Sequence, residues 1–514
     1  MIISLRGGGC AATIICGLLV AANAEAQSIK FPWSGFGQNP QHSGMAAAPS
    51  QPLTRILWQT PVDLSPQYNG NDLPIHYGSP LVTRSNTVIV PVKTGALNGF
   101  VIKALVATTG MTNWTLPTDY ILPPHDWIPG FSPALTPKNR LYFAGGGGTV
   151  YFCDTPDTTN SSPAVGQIAF YNLTNYAANA NAYLANVFIN TPITSDRYGN
   201  IFFGFQVTGA TPLNLQSGIA RIDFNGGGTW ISALATVSND APAGQVVMNC
   251  APALSNDHKT LYLAVSSDYT GYGYLVALDS RTLAPLARVR LKDVKYPANN
   301  ATVHNNGTAS PTVGPDGDVY FGVLETPDYS NHARGWLLHF DATLAQTKLP
   351  GAFGWDDTPS VVPASLVPSY QGSSSYLLMA KYNNYASGET GGDGVNRIAI
   401  LDPFVGMTDP ISGATVMKEI LTIAGPTPDA EHTNSFPNAV REWCINSAAV
   451  DPFTKSVLAN NEDGKLYRWN LTSNTFSEII TLTSGIGEAY TPTLIGVDGI
   501  VYAINNARLF AIGR

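Results

Sequence analysis

A chain of 514 residues with a net charge of -8 and only 12% charged residues lacks the basic surface that a nucleic-acid backbone requires. Its 49 glycines and 37 prolines mark a turn-rich β protein. No CxxC, CxxCH or Cys/His zinc spacing occurs, which excludes attached c-type haem and the common structural zinc modules. In chain order, the first element reads as a secretory leader. Arg6 precedes the apolar stretch 11–22, and Ala22, Ala24 and Ala26 supply small residues for cleavage. Residues 1–26 are therefore expected to be a signal peptide, and 27–514 one exported domain, periplasmic or secreted. No later stretch is apolar for the roughly 18 residues a membrane helix needs, so no membrane span is expected. Past the leader only Cys153, Cys250 and Cys444 remain, enough for one internal disulfide at most.

One hairpin then recurs eight times. Ser79-Pro80-Leu81-Val82 precedes the run 87–90, and Ser132-Pro133-Ala134-Leu135 precedes 141–143. Thr191-Pro192 precedes 201–203, Ala251-Pro252 precedes 261–263, Ser310-Pro311 precedes 319–321, and Thr358-Pro359 precedes 376–378. Ser447-Ala448 precedes 457–459, and Thr491-Pro492 precedes 500–504. The proline sits where a strand begins and no ladder donor is yet needed. A third run usually ends in Asp or Asn, as at Asp223, Asp279, Asp341, Asp402 and Asn470, whose side chains turn the backbone into a fourth strand. The first three starts are 53 and 59 residues apart, a period typical of propeller blades. The expected fold is all-β: an eight-bladed β-propeller of four-stranded blades. The last copy is one strand short, and the Trp-bearing segment 55–62 before the first copy is expected to pair with 509–512 and close the ring.

The fullest copy, Ala104-Leu105-Val106-Ala107-Thr108-Thr109-Gly110-Met111-Thr112-Asn113-Trp114, resembles the quinoprotein (PQQ) repeat, A-x-D-x-x-T-G-x-x-x-W after a Ser-Pro hairpin. The resemblance extends from Trp33 onward. It implies the quinoprotein alcohol dehydrogenase-like propeller. Dehydrogenases of that family bind PQQ, usually with calcium, between a tryptophan and a ring of adjacent disulfide-bonded cysteines. An Asp serves there as base, and Glu and Asn ligate the metal.

The loops that lead into the innermost strands form one face of a propeller, and its concave mouth is the default ligand site. That face should carry His76, Trp127, Asn190, Asn249, His304, Trp355, Arg441, Trp443, Glu488 and Tyr490. Asp357 and Glu442 are the candidate catalytic carboxylates, and Asp357, Glu442 and Asn446 the candidate ligands of a hard cation. No adjacent cysteine pair is present, and Arg441 is the only Lys or Arg among these mouth groups, a poor match for a tricarboxylate. The sequence therefore reads first as a ligand- or partner-binding scaffold without a confidently assigned cofactor. Its ligand would be a small molecule, a glycan or a protein. The alternative is a PQQ- and calcium-dependent alcohol or sugar dehydrogenase using the same face.

Overall fold

The computed structural model describes residues 31–70, 73–96, 98–267, 271–304, 307, 309–386, 391–484 and 493–514. The leader segment, Glu488 and Tyr490 lie outside them. Eight antiparallel sheets follow one another along the chain, at 81–121, 134–169, 187–232, 245–290, 312–340, 360–424, 449–481 and 494–513. They are the blades of a propeller, and helix among the described residues is confined to three short α segments and two 3-10 turns. The first strands are short and mostly buried, as in Leu81–Val82, whereas the fourth strands are more exposed, as in Thr112–Ile121 and Pro285–Arg290. The first strands therefore line the axis and the fourth form the rim.

Two features depart from a uniform four-stranded plan. In the third and fourth blades the innermost position holds two short strands, Val187–Ile189 with Thr194–Ser195 and Gln245–Val246 with Ala253–Leu254. Pro192 and Pro252 lie in the breaks, where a missing N–H interrupts the ladder. In the fifth blade the outer strand is reduced to the bridges Leu337↔Gly351 and Phe340↔Thr347.

The repeat residues have distinct jobs. Asp279 Oδ1 accepts from the backbone N–H of Arg281 and Thr282, and Asn470 Oδ1 from Thr472 and Ser473, making the turn between third and fourth strands. The Ser or Thr of the Ser-Pro step staples neighbouring blades. Ser79 N–H donates to Ser132 Oγ at 3.0 Å, Ala251 N–H to Ser310 Oγ at 2.9 Å and Ser310 N–H to Thr358 Oγ1 at 3.0 Å. The repeat tryptophans also reach across blades: Trp114 Nε1 donates to Pro156 O in the following loop at 3.1 Å.

Arg55–Pro61 pairs antiparallel with Arg508–Gly513, with Thr60 opposite Leu509 and Gln59 opposite Phe510, so the last blade holds a strand from each end of the chain. Ile56, Leu57 and Trp58 on it are half-buried. Trp58 Nε1 donates to Ala107 O at 2.7 Å, and a Cβ on Gly110 would come within 2.7 Å of the Trp58 ring. Gly110, at φ +69°, thus belongs to the seam between the last blade and the first.

Residues 33–46 have no counterpart in the repeat. They cross the axis and take up the free edges of innermost strands. Trp33 exchanges hydrogen bonds with Val82, and the N–H groups of Leu135, Leu254, Val313, Val361 and Val450 donate to the carbonyls of Ser34, Pro40, Gln41, Ser43 and Gly44. Six blades thereby satisfy an exposed strand edge on one segment. The approach is close: a Cβ at Gly44 would lie 2.5 Å from Ser360 Oγ and 2.7 Å from Ala448 O.

Candidate functional site

The mouth is built from loops stitched to one another. His76 N–H donates to Ile128 O, and the His76 ring lies 5.5 Å from that of Trp127, which ties together the loops leading into the first two blades. Asn190 O accepts from Asn249 N–H, Asn190 Nδ2 donates to Val246 O, and Asn249 Oδ1 accepts from Gly130 N–H at 2.8 Å. Asn190 and Asn249 are thus buried structural ties. His304 meets Trp355 edge-on at 5.5 Å. Burial lowers the His304 pKa, and the charge of Asp126 opposes the shift.

The charged centre lies at the sixth and seventh blades. Asp357 is fully buried beside the innermost strand Ser360–Pro363; its Oδ1 accepts from Lys381 N–H at 3.2 Å, and its Oδ2 has no hydrogen-bond partner. Burial raises its pKa to about 7, against the pull of the Lys381 ammonium. Lys381, at the end of the buried strand Tyr376–Tyr382, also acts through charge on Glu442. Glu442, Cys444 and Glu462 bring ligand-type atoms within 4.8 Å of one another. Burial raises the pKa of both carboxyl groups, and the negative charge of Glu462 adds to the shift at Glu442. Glu442 N–H donates to Glu462 Oε2 at 3.2 Å.

The other expected residues fall elsewhere. Trp443 is core, 0% exposed, packed on Tyr467 and Phe476 at 5.3 and 5.7 Å, because its backbone is drawn inward by Asn383 Oδ1, which accepts from its N–H. Asn446 is not part of the Glu442 group: its Oδ1 accepts from the Thr358 hydroxyl and its carbonyl from Thr358 N–H, which makes it a member of the inter-blade staples. Arg441 is shared among Asp429, Glu431 and Glu462 at 3.3, 3.1 and 3.9 Å. Lys381 and Glu462, which sequence reasoning missed, come from strand ends rather than from the loops leading into blades. The one available signal was a lysine ending an otherwise apolar run, Tyr376-Leu377-Leu378-Met379-Ala380-Lys381.

The raised pKa of Asp357 has a pH signature. Its stabilising share is full below the ordinary value of 3.8 and is lost as pH rises through about 7, because the fold favours the neutral acid. Asp357→Asn, which keeps the acceptor for Lys381, should therefore lose less melting temperature than the wild type between pH 4 and pH 8. Parallel melting curves over that range would remove the argument.

No family model and no curated protein matches the chain. Solved structures do. A quinohemoprotein alcohol dehydrogenase from Comamonas testosteroni superposes with TM-score 0.55 at 11% identity, over 95% of this chain and 81% of that one. A europium-containing methanol dehydrogenase gives 0.54 at 10%, over 93% and 89%. A quinohemoprotein alcohol dehydrogenase from Pseudomonas putida HK5 gives 0.50 at 10%, over 94% and 76%. The molecule is an eight-bladed propeller of the type seen in quinoprotein dehydrogenases. At these identities the likeness is one of fold.

Proposed function

We propose that this protein is an exported oxidoreductase of the quinoprotein type, acting on a small hydroxyl-bearing substrate at the face over the sixth and seventh blades. Asp357 carries the reading: a buried carboxyl with one unpartnered oxygen, poised at about pH 7 beside Lys381. A group that takes the proton of a substrate hydroxyl near neutral pH needs that combination. The fold likeness to alcohol and methanol dehydrogenases supports an oxidoreductase over a scaffold. No helix among the described residues is long and apolar enough to cross a membrane.

The donors suit calcium and the base better than the quinone. Glu442 and Glu462 offer carboxylate oxygens to a divalent cation, and Lys381 offers positive charge. PQQ, when bound, would accept the two electrons released by the alcohol. Asp357 would take the hydroxyl proton, and the Lys381 ammonium would favour the ionised carboxylate that accepts it. The mismatch is specific: Arg441 is already claimed by three carboxylates, and Cys153, Cys250 and Cys444 are buried and far apart in the chain, with no adjacent pair. This observation favours the second reading, a ligand-binding or scaffold propeller working through the same face.

Titration with PQQ and calcium, followed by absorbance and dye-linked alcohol oxidation, separates the two. The expected result is saturable binding with turnover, and a loss of turnover of about a hundredfold or more in Asp357→Asn with binding retained. No binding by the wild-type protein would overturn the oxidoreductase and leave the binding propeller.

A further inference from the structure

Beside the mouth, the fifth blade carries a second concavity of about 430 Å³, lined among others by Thr302, His304, Glu325, Asp328 and Tyr329. That volume falls within the range of small-molecule sites. Two loops make it: the one leading into the blade, and the one at 324–335 between its second and third strands. They are joined by the Thr302↔Leu324 bridge and by a contact of 3.1 Å between the hydroxyls of Thr302 and Thr326.

The 324–335 loop is held in an unusual shape. Tyr329, His332 and Ala333 are non-glycine residues at φ +63°, +59° and +57°. Such conformations persist only where the surroundings enforce them, and they gather at ligand sites. The enforcing group is Glu325, 2% exposed, whose carboxylate accepts from the N–H groups of Asn331, Ala333 and Gly335 at 3.3, 2.6 and 2.7 Å.

Asp328 is the exposed carboxylate of the wall, the Glu325 carboxylate being turned to the loop backbone, and no Lys or Arg is among the described lining residues. The Arg334 guanidinium is turned away to Asp409 at 2.6 Å and Lys292 Nζ to Asn300 Oδ1 at 2.8 Å, while Lys295 Nζ donates at 3.3 Å to Ser330 O on the 324–335 loop itself. Tyr329 keeps 47% of its surface exposed at the cavity, and an aromatic ring beside a carboxylate is the recognition pair for organic ammonium groups.

We propose that this cavity binds a small organic cation, a quaternary or protonated amine bearing a hydroxyl, with Asp328 as its counter-ion and Tyr329 as its aromatic wall. The proposal concerns binding alone and stands whether or not the protein is a quinone enzyme.

The test is calorimetric titration of the leader-free protein with choline and with 3,3-dimethyl-1-butanol, which has its shape without its charge. Choline should bind, and the neutral analogue about tenfold more weakly or worse. Asp328→Asn and Tyr329→Gly should each weaken choline by about tenfold; glycine suits the positive φ, so the second variant removes the ring without straining the loop. Unchanged melting temperatures would show that both variants are folded. The site is refuted by absent choline binding, by equal binding of the neutral analogue, or by variants that bind as the wild type does.

Discussion

Trp58→Ala should loosen the ring at its seam and cost on the order of 3 kcal/mol, even though Trp58 is only half-buried. The indole serves two blades at once. It belongs to the strand that pairs with Arg508–Gly513, it lies 5.8 Å from the Tyr502 ring, and its Nε1 reaches Ala107 O in the first blade. Its loss removes packing from both sides of one junction and leaves that carbonyl without its donor. Urea denaturation reads the stability, and hydrogen exchange reads the place. The amides of 508–513 should exchange faster in the variant than those of the seventh-blade strand Ser456–Asn460. If 508–513 stay as protected as in the wild type, the N-terminal strand is not what holds the last blade.

Arg334→Met is expected to be the more damaging change, by about 3–5 kcal/mol. Arg334 and Asp409 are both almost wholly withdrawn from water, their ion pair is 2.6 Å long, and the guanidinium also donates to Asn331 O at 3.2 Å. Removing the cation leaves a buried carboxylate whose remaining donor among the described residues is Ser412. The double variant Arg334→Met with Asp409→Leu should recover much of the loss, because the strain lies in the unpaired charge rather than in the missing bond. A single variant costing less than about 1 kcal/mol would mean that water reaches Asp409. The same change should also slacken the loop at 324–335, which Arg334 anchors from behind.

The repeat was legible in the sequence because proline, Asx turns and β-branched runs act locally: each states its own backbone geometry, and eight copies agree. The extra inner strands at Val187–Ile189 and Gln245–Val246 were not, since a two- or three-residue strand has no period to detect. Nor was the segment 33–46, whose bonding partners lie on six different blades and leave no mark on its own pattern. At the site, the loops were found but not the roles. Trp443 precedes a blade as Trp355 does, yet it packs on Tyr467 and Phe476 with its N–H on Asn383 Oδ1, whereas Trp355 meets His304. Lys381 and Glu462 were missed because charge coupling between strand ends is a property of the assembled ring.

The axial segment also bears on the order of assembly. Residues 33–61 leave the ribosome before any blade, yet the backbone partner of Ala46 is Val450, and that of Ile56 is Ile512. The head of the chain must wait for its tail. The ring therefore cannot close until 508–513 are made, because the strand Arg55–Pro61 has its partner there.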